Sequence, residues 1–264
     1  MSGTGQAHAA IIAESDRTTL SGGAVLKPVA YTIRVHPRAR HVRLRVDPRH
    51  GLVVTVPKRF DTRRVASLVA ERKPWIDAVQ ARMEQARSAL DEACRGPRPT
   101  RIELSALGEQ RRVTYQPASR SSLGFHAGPD ELTFKLPDLP AQTLDERIAA
   151  RLRTWLLETA RSHLPGVVRE LAAEHGFRHG RIQFRNQRAR WGSCSANGNL
   201  SLNARLLFAT PEACRYVLIH ELVHTEHLNH SSAFWDRVAQ IMPDYQDHQR
   251  KLKTTWHQLP DWIQ

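Results

Sequence analysis

The chain is 264 residues long, enough to bury a real core in one large domain or two smaller ones, so disorder throughout is excluded. Lys and Arg outnumber Asp and Glu by 39 to 26, giving a positive field that suits nucleic acid, nucleotides or other acidic partners, or that reflects only an arginine-rich background. Three cysteines, Cys94, Cys194 and Cys214, with no short CxxC spacing, exclude a disulfide framework and a cysteine zinc knuckle and point to a reducing compartment.

The opening "MSGTGQAHAAIIAESDR" lacks the basic start, apolar run and cleavage pattern of a secretory signal. No stretch approaches the roughly 18 apolar residues that span a bilayer. A soluble, cytoplasmic protein without a membrane partner is therefore expected. Residues 1–27 are small, polar and aperiodic, and read as a disordered lead-in. From "YTIRV" through "HVRLRV" to "LVVTV", apolar and polar residues alternate, with Val42, Leu44 and Val46 on one face and Arg43 and Arg45 on the other. This predicts three antiparallel strands with one wet, arginine-lined face.

Helical spacing then runs through Val65, Leu68, Val69, Trp75, Ile76, Val79 and Met83 as far as Cys94, with Asp61 placed to cap it. After the linker "RGPRPT", a second β-rich patch follows in "RIELSAL", "QRRVTYQP" and "ELTFKLP". Thr143 begins another helical pattern that Pro165 is expected to break, with resumption to Glu174. Next, "RIQFR" and "NLSLN" alternate on either side of Asn197-Gly198, a hairpin signal with a long tip.

"TPEACRYVLIHELVH" has a helix N-terminus written into it, with Thr210 as cap, Pro211 at the first helical position and Glu212 in the first turn. Four residues apart on a helix, His220 and His224 lie on one face and can converge on one ion. Leu218, Ile219, Leu222 and Val223 bury the turn around them. Glu221 is offset by about 100°, close to such an ion without being a ligand, and is placed to act as general base on a zinc-bound water. A catalytic zinc usually has three protein ligands, so a third is required. His230 fits best, at a corner where Asn229 ends one helix and Ser231 caps the next; His227 ranks second. With 14 histidines and 14 glutamates in the chain, H-E-x-x-H is expected by chance only roughly 0.04 times.

At this point "RWGSCSANGNLSLNARLLF", "HELVH", "NHSSAFW" and "PDY" together resemble the YgjP-like metallopeptidase domain, a family of zinc-dependent hydrolases related to the SprT-like and WLM proteases. "VRLRVDPRHGLVVTVP" and "RKPWI" resemble that family's opening, so the resemblance spans residues 31 to about 256. It implies an α+β fold with a zincin-like catalytic domain at 141–264, preceded by a β-rich region with one long helix at 28–140. It also implies one Zn²⁺ held by His220, His224 and His230, with Glu221 as catalytic base. One departure is His248 in "QDHQRKLK", whose relation to the site is open. In zincins the strand before the active-site helix pairs with extended substrate, which would assign "NLSLN" and Asn203 to substrate binding; the alternative is an interior strand.

Arg190 and Tyr245 are candidates for stabilising an oxyanion. Cys194 and Trp191 read as packing residues. Three functions follow: a metallopeptidase acting on peptides or proteins, a zinc hydrolase of nucleotides or other phosphate-containing substrates, and a nucleic-acid-associated protein using Arg43 and Arg45.

Overall fold

A computed structural model describes residues 30–47, 51–88, 92–119 and 121–263, so the lead-in expected at 1–27 lies outside the described residues. The chain divides into two compact units, Met1–Gln85 and Ala86–Gln264, and its class is mixed α+β with three small sheets.

In the first unit, β1 (Tyr31–His36), β2 (Arg43–Asp47) and β3 (Gly51–Pro57) form a sheet in the order β1-β3-β2. β2 pairs antiparallel with β3, as expected, but β1 runs parallel to β3. The reason lies in burial. Leu52, Val54 and Val56 of β3 are fully buried, so the most apolar strand takes the centre and residues 37–42 carry the chain from one side of it to the other. Leu44 and Val46 face the core and Arg43 and Arg45 face outward, as the alternation requires.

The core is closed by Val65 and Val69 of α1 (Val65–Glu71) and Ile76 of α2 (Lys73–Ser88). Asp61 caps the short 3-10 turn that leads in, accepting from the Arg63 N–H at 3.0 Å. The expected single helix is broken at Arg72, because Pro74 has no N–H to offer the Ala70 carbonyl.

The second unit begins with α3 (Glu92–Arg95), followed by β4 (Arg101–Leu104), β5 (Glu109–Pro117), β6 (Gly124–Ala127) and β7 (Glu131–Leu136), in the order β4-β5-β7-β6. Short β6, opening on Gly124, carries no alternation strong enough to read from sequence. Ile102, Val113, Leu132 and Phe134 share one core with Ile148, Leu152 and Leu156 of α4 (Ala141–His175). These strands therefore pack with the following helix, within the unit Ala86–Gln264.

Helix α4 runs unbroken through Pro165. Leu164, Val168 and Leu171 continue the buried stripe past the proline, and that packing outweighs the roughly 3 kcal/mol a helical proline costs.

β8 (Ile182–Arg185), β9 (Gly192–Cys194) and β10 (Leu200–Asn203) form the third sheet, in the order β8-β10-β9. The Asn197-Gly198 hairpin joins β9 to β10, not β8 to β10, which run parallel. β10 is the interior strand, so the expectation that it pairs with substrate is corrected. Three helices complete the unit: α5 (Pro211–Val223), α6 (Ser232–Ile241) and α7 (Tyr245–His257). No helix among the described residues is long and apolar enough to cross a membrane.

Candidate metal centre

The Thr210 hydroxyl caps α5, accepting from the Ala213 N–H at 3.3 Å, and Pro211 occupies its first turn. Further along, Leu218, Ile219, Leu222 and Val223 are buried on nearly every side, which anchors the turn bearing the histidines. The helix closes at Val223, earlier than Asn229. The Thr225 N–H donates to Leu222 and the Glu226 N–H to Val223, so the chain turns back at once. That turn brings the His227 carbonyl to 2.9 Å from Nδ1 of His224. The only proton-matched arrangement has Nδ1–H donating, which leaves the lone pair on Nε2. His227 thus acts through its backbone, and its ring is not part of the cluster.

Nε2 of His230 lies 3.1 Å from Nε2 of His220 and 3.2 Å from Nε2 of His224. The three side chains offer ligand atoms within 4.8 Å of one another. Nitrogens bound 2.0–2.1 Å from a tetrahedral metal stand about 3.3 Å apart, so the spacing fits one ion. Burial, then the neighbouring histidines, push the His220 imidazole down to about 3. His224 is lowered as well, by burial first. Neutral imidazoles aiming lone pairs at one point repel unless a cation lies between them, so the donor set also fits a metal.

The rings are held by packing. Fully buried Phe234 has its centroid 4.9, 4.5 and 4.8 Å from those of His220, His224 and His230. Trp235 stacks on His230 at 5.5 Å. The first two aromatics of α6 therefore set the positions of all three imidazoles.

Glu221 is 5% exposed, and burial raises its carboxyl to about 7 against the opposing charge of Arg190. Oε2 has no hydrogen-bond partner among the described residues. The carboxylate rests on the backbone of β9: a Cβ placed on Gly192 would come within 2.6 Å of Oε1 and 2.7 Å of Cγ. Gly192 is therefore a site residue that sequence reasoning missed. The available signal was a glycine inside a strand, which marks close approach of another group. Beside it, the Cys194 thiol is pushed up to about 11 by burial and by Glu221, which keeps it protonated and removes it as a nucleophile.

Of the other expected residues, Arg190 is exposed and acts on Glu221 through its charge. Tyr245 stacks on Trp235 at 5.3 Å and on Tyr216 at 6.3 Å, and both of these touch the His220 ring. Tyr216, one turn before His220, is a second residue missed from sequence, where it reads only as part of the buried helix. Asn203 is fully buried: its Nδ2 donates to the Gln187 and Arg190 carbonyls, both at 2.8 Å, and its Oδ1 accepts from the Arg205 N–H. Its amide fixes the loop ahead of β9. His248 is 4% exposed, pairs with Asp244 at 3.0 Å and lies outside the cluster.

The sequence model of the YgjP-like metallopeptidase domain matches residues 40–255. Among solved structures, the chain is similar to the metallopeptidase zymogen abylysin of Pyrococcus abyssi, at 22% identity and a TM-score of 0.33, over 36% of this chain and 97% of that one. No curated protein matches. The family match takes in both Gly192 and the helix-and-corner geometry that gathers the three histidines, and over that span the chain belongs to the YgjP-like metallopeptidase family.

Proposed function

We propose that His220, His224 and His230 hold one zinc ion and that the protein cleaves peptide bonds with Glu221 as general base. Three imidazoles with an open fourth position suit catalytic zinc. When bound, the ion supplies Lewis-acid polarisation of water and of the scissile carbonyl. Glu221, its carboxyl raised to about 7, takes the proton of the attacking water and returns it to the departing amine. Arg190 and Tyr245 are the groups to steady the oxyanion, whereas Asn203 is spent on backbone carbonyls.

Extended substrate lies along β9. The Asn203 N–H donates to the Trp191 carbonyl and the Ser195 N–H to the Asn199 carbonyl. By the alternation of an antiparallel ladder, this turns the N–H and C=O of Gly192 and Cys194 away from β10. A peptide added on that edge runs past Glu221.

The observation that carries the proposal is the convergence of three Nε2 atoms beside a buried carboxylate. Metal content per chain tests it. Wild type is expected to hold one zinc, and His220→Ala, His224→Ala and His230→Ala each lose most of it while remaining folded; full retention in all three variants would refute the ligand set. Peptides and nucleoside triphosphates assayed side by side test the reaction, and turnover confined to triphosphates would overturn peptide cleavage.

A further inference from the structure

We infer that the outward face of the β1-β3-β2 sheet is a docking surface for the phosphate backbone of duplex nucleic acid. The inference goes beyond the peptidase reading and does not rest on it, since every residue of the metal centre lies in the second unit.

Charge is the first observation. Residues 30–85 carry 13 Lys plus Arg against 5 Asp plus Glu, so 56 residues hold +8 of the chain's formal +13. Register is the second. Across the outward face Arg34 pairs with Thr55 and Thr55 with Arg43; in the next row Thr32 pairs with Val53 and Val53 with Arg45. The three arginines are exposed, and neither Arg34 nor Arg43 has an ion-pair partner among the described residues. Adjacent strands are about 4.8 Å apart and alternate residues about 7 Å apart, which puts Arg34 and Arg43 about 10 Å from each other and Arg43 about 7 Å from Arg45. Arg38 and Arg40, exposed in the segment between β1 and β2, extend the positive surface where β2 begins.

The opposite face of the sheet is occupied by Leu52, Val54, Val56 and the two helices, so the arginines stand on a rigid platform. The chemistry of the face selects its partner. Tyr31 packs on the core side, and the one ring among the outward residues of the three strands is His36, at the end of β1 opposite Pro57 and accepting from the Arg38 N–H at 3.3 Å, so no row of rings is built to stack successive unpaired bases. Val53 is the one apolar side chain in the two arginine rows, too little to insert into a bilayer. What is left is a flat array of guanidiniums and threonine hydroxyls, which matches closely spaced phosphates and reads no base edges. Binding should therefore be independent of sequence and steeply dependent on salt.

The test is fluorescence anisotropy of a short mixed-sequence DNA duplex with the full-length protein over a range of salt concentrations. The expected result is a linear fall of log affinity with log salt. Each phosphate contact contributes about 0.9 to the slope, so Arg34→Ala/Arg43→Ala should flatten it by about 2 and weaken binding at least ~10-fold at low salt. Arg169→Ala/Arg178→Ala removes the same two charges from exposed positions in the second unit and should bind nearly as wild type does. Thermal melting confirms that each variant is folded. Absence of duplex binding by wild type, equal weakening in both double variants, or binding only to phosphatidylserine vesicles would overturn the proposal.

Discussion

At the level of single residues, the site depends on one absent side chain. Glu221 sits where it does because Gly192 presents bare backbone to it. Gly192→Ala forces Cβ into the carboxylate, and since both partners are held in secondary structure, the carboxylate must move. We expect this variant to keep its metal and lose at least ~100-fold in peptide turnover, in line with loss of general-base catalysis; wild-type turnover would show that Glu221 does not act from its observed position. The histidine pair and its glutamate were legible in the sequence because their spacing on one helix is a local property. The role of Gly192 was not, because a close approach between a strand and a helix leaves only a glycine as its trace. The contact of Phe234 with all three imidazoles and of Trp235 with His230 was not legible either, because it joins residues of two helices across the corner between them.

At the level of elements, the three sheets share one arrangement. In β1-β3-β2, β5-β7-β6 and β8-β10-β9, the last strand in sequence lies in the middle, parallel to the first and antiparallel to the second. Alternation locates such strands but says nothing about their partners, which is why none of the three parallel pairings was foreseen. Burial holds the information that order in sequence lacks: Leu52, Val54 and Val56, then Leu132 and Phe134, then Leu200 and Leu202 mark the central strands. The loop before β9 is tied to the end of β10 by the Asn203 side chain, whose Nδ2 donates to the Gln187 and Arg190 carbonyls. Asn203→Ala removes the donor to both part-buried carbonyls, and a loss of about 1–3 kcal/mol in urea unfolding is expected. A change below ~0.5 kcal/mol would mean the loop is held by other contacts.

At the level of the whole molecule, the chain separates tasks between two cores. The first unit has a small core under an arginine-bearing sheet, and the second has a large core around α4 that carries the metal centre at one end of α5. The net positive charge was visible in composition, but its concentration in the first unit takes on meaning only when the register aligns Arg34 with Arg43 across Thr55. A β-rich segment gives no sign of which helix it will pack against, so the core that Ile102, Val113, Leu132 and Phe134 share with α4 was not legible in the sequence. The central claim is that a buried carboxylate beside a three-histidine metal site drives hydrolysis. Peptide cleavage by zinc-loaded Glu221→Gln, set against wild type of equal metal content, tests it most directly. The account predicts one zinc per chain in both proteins and a fall of roughly 10²–10⁴-fold in turnover; undiminished cleavage by the variant would contradict it.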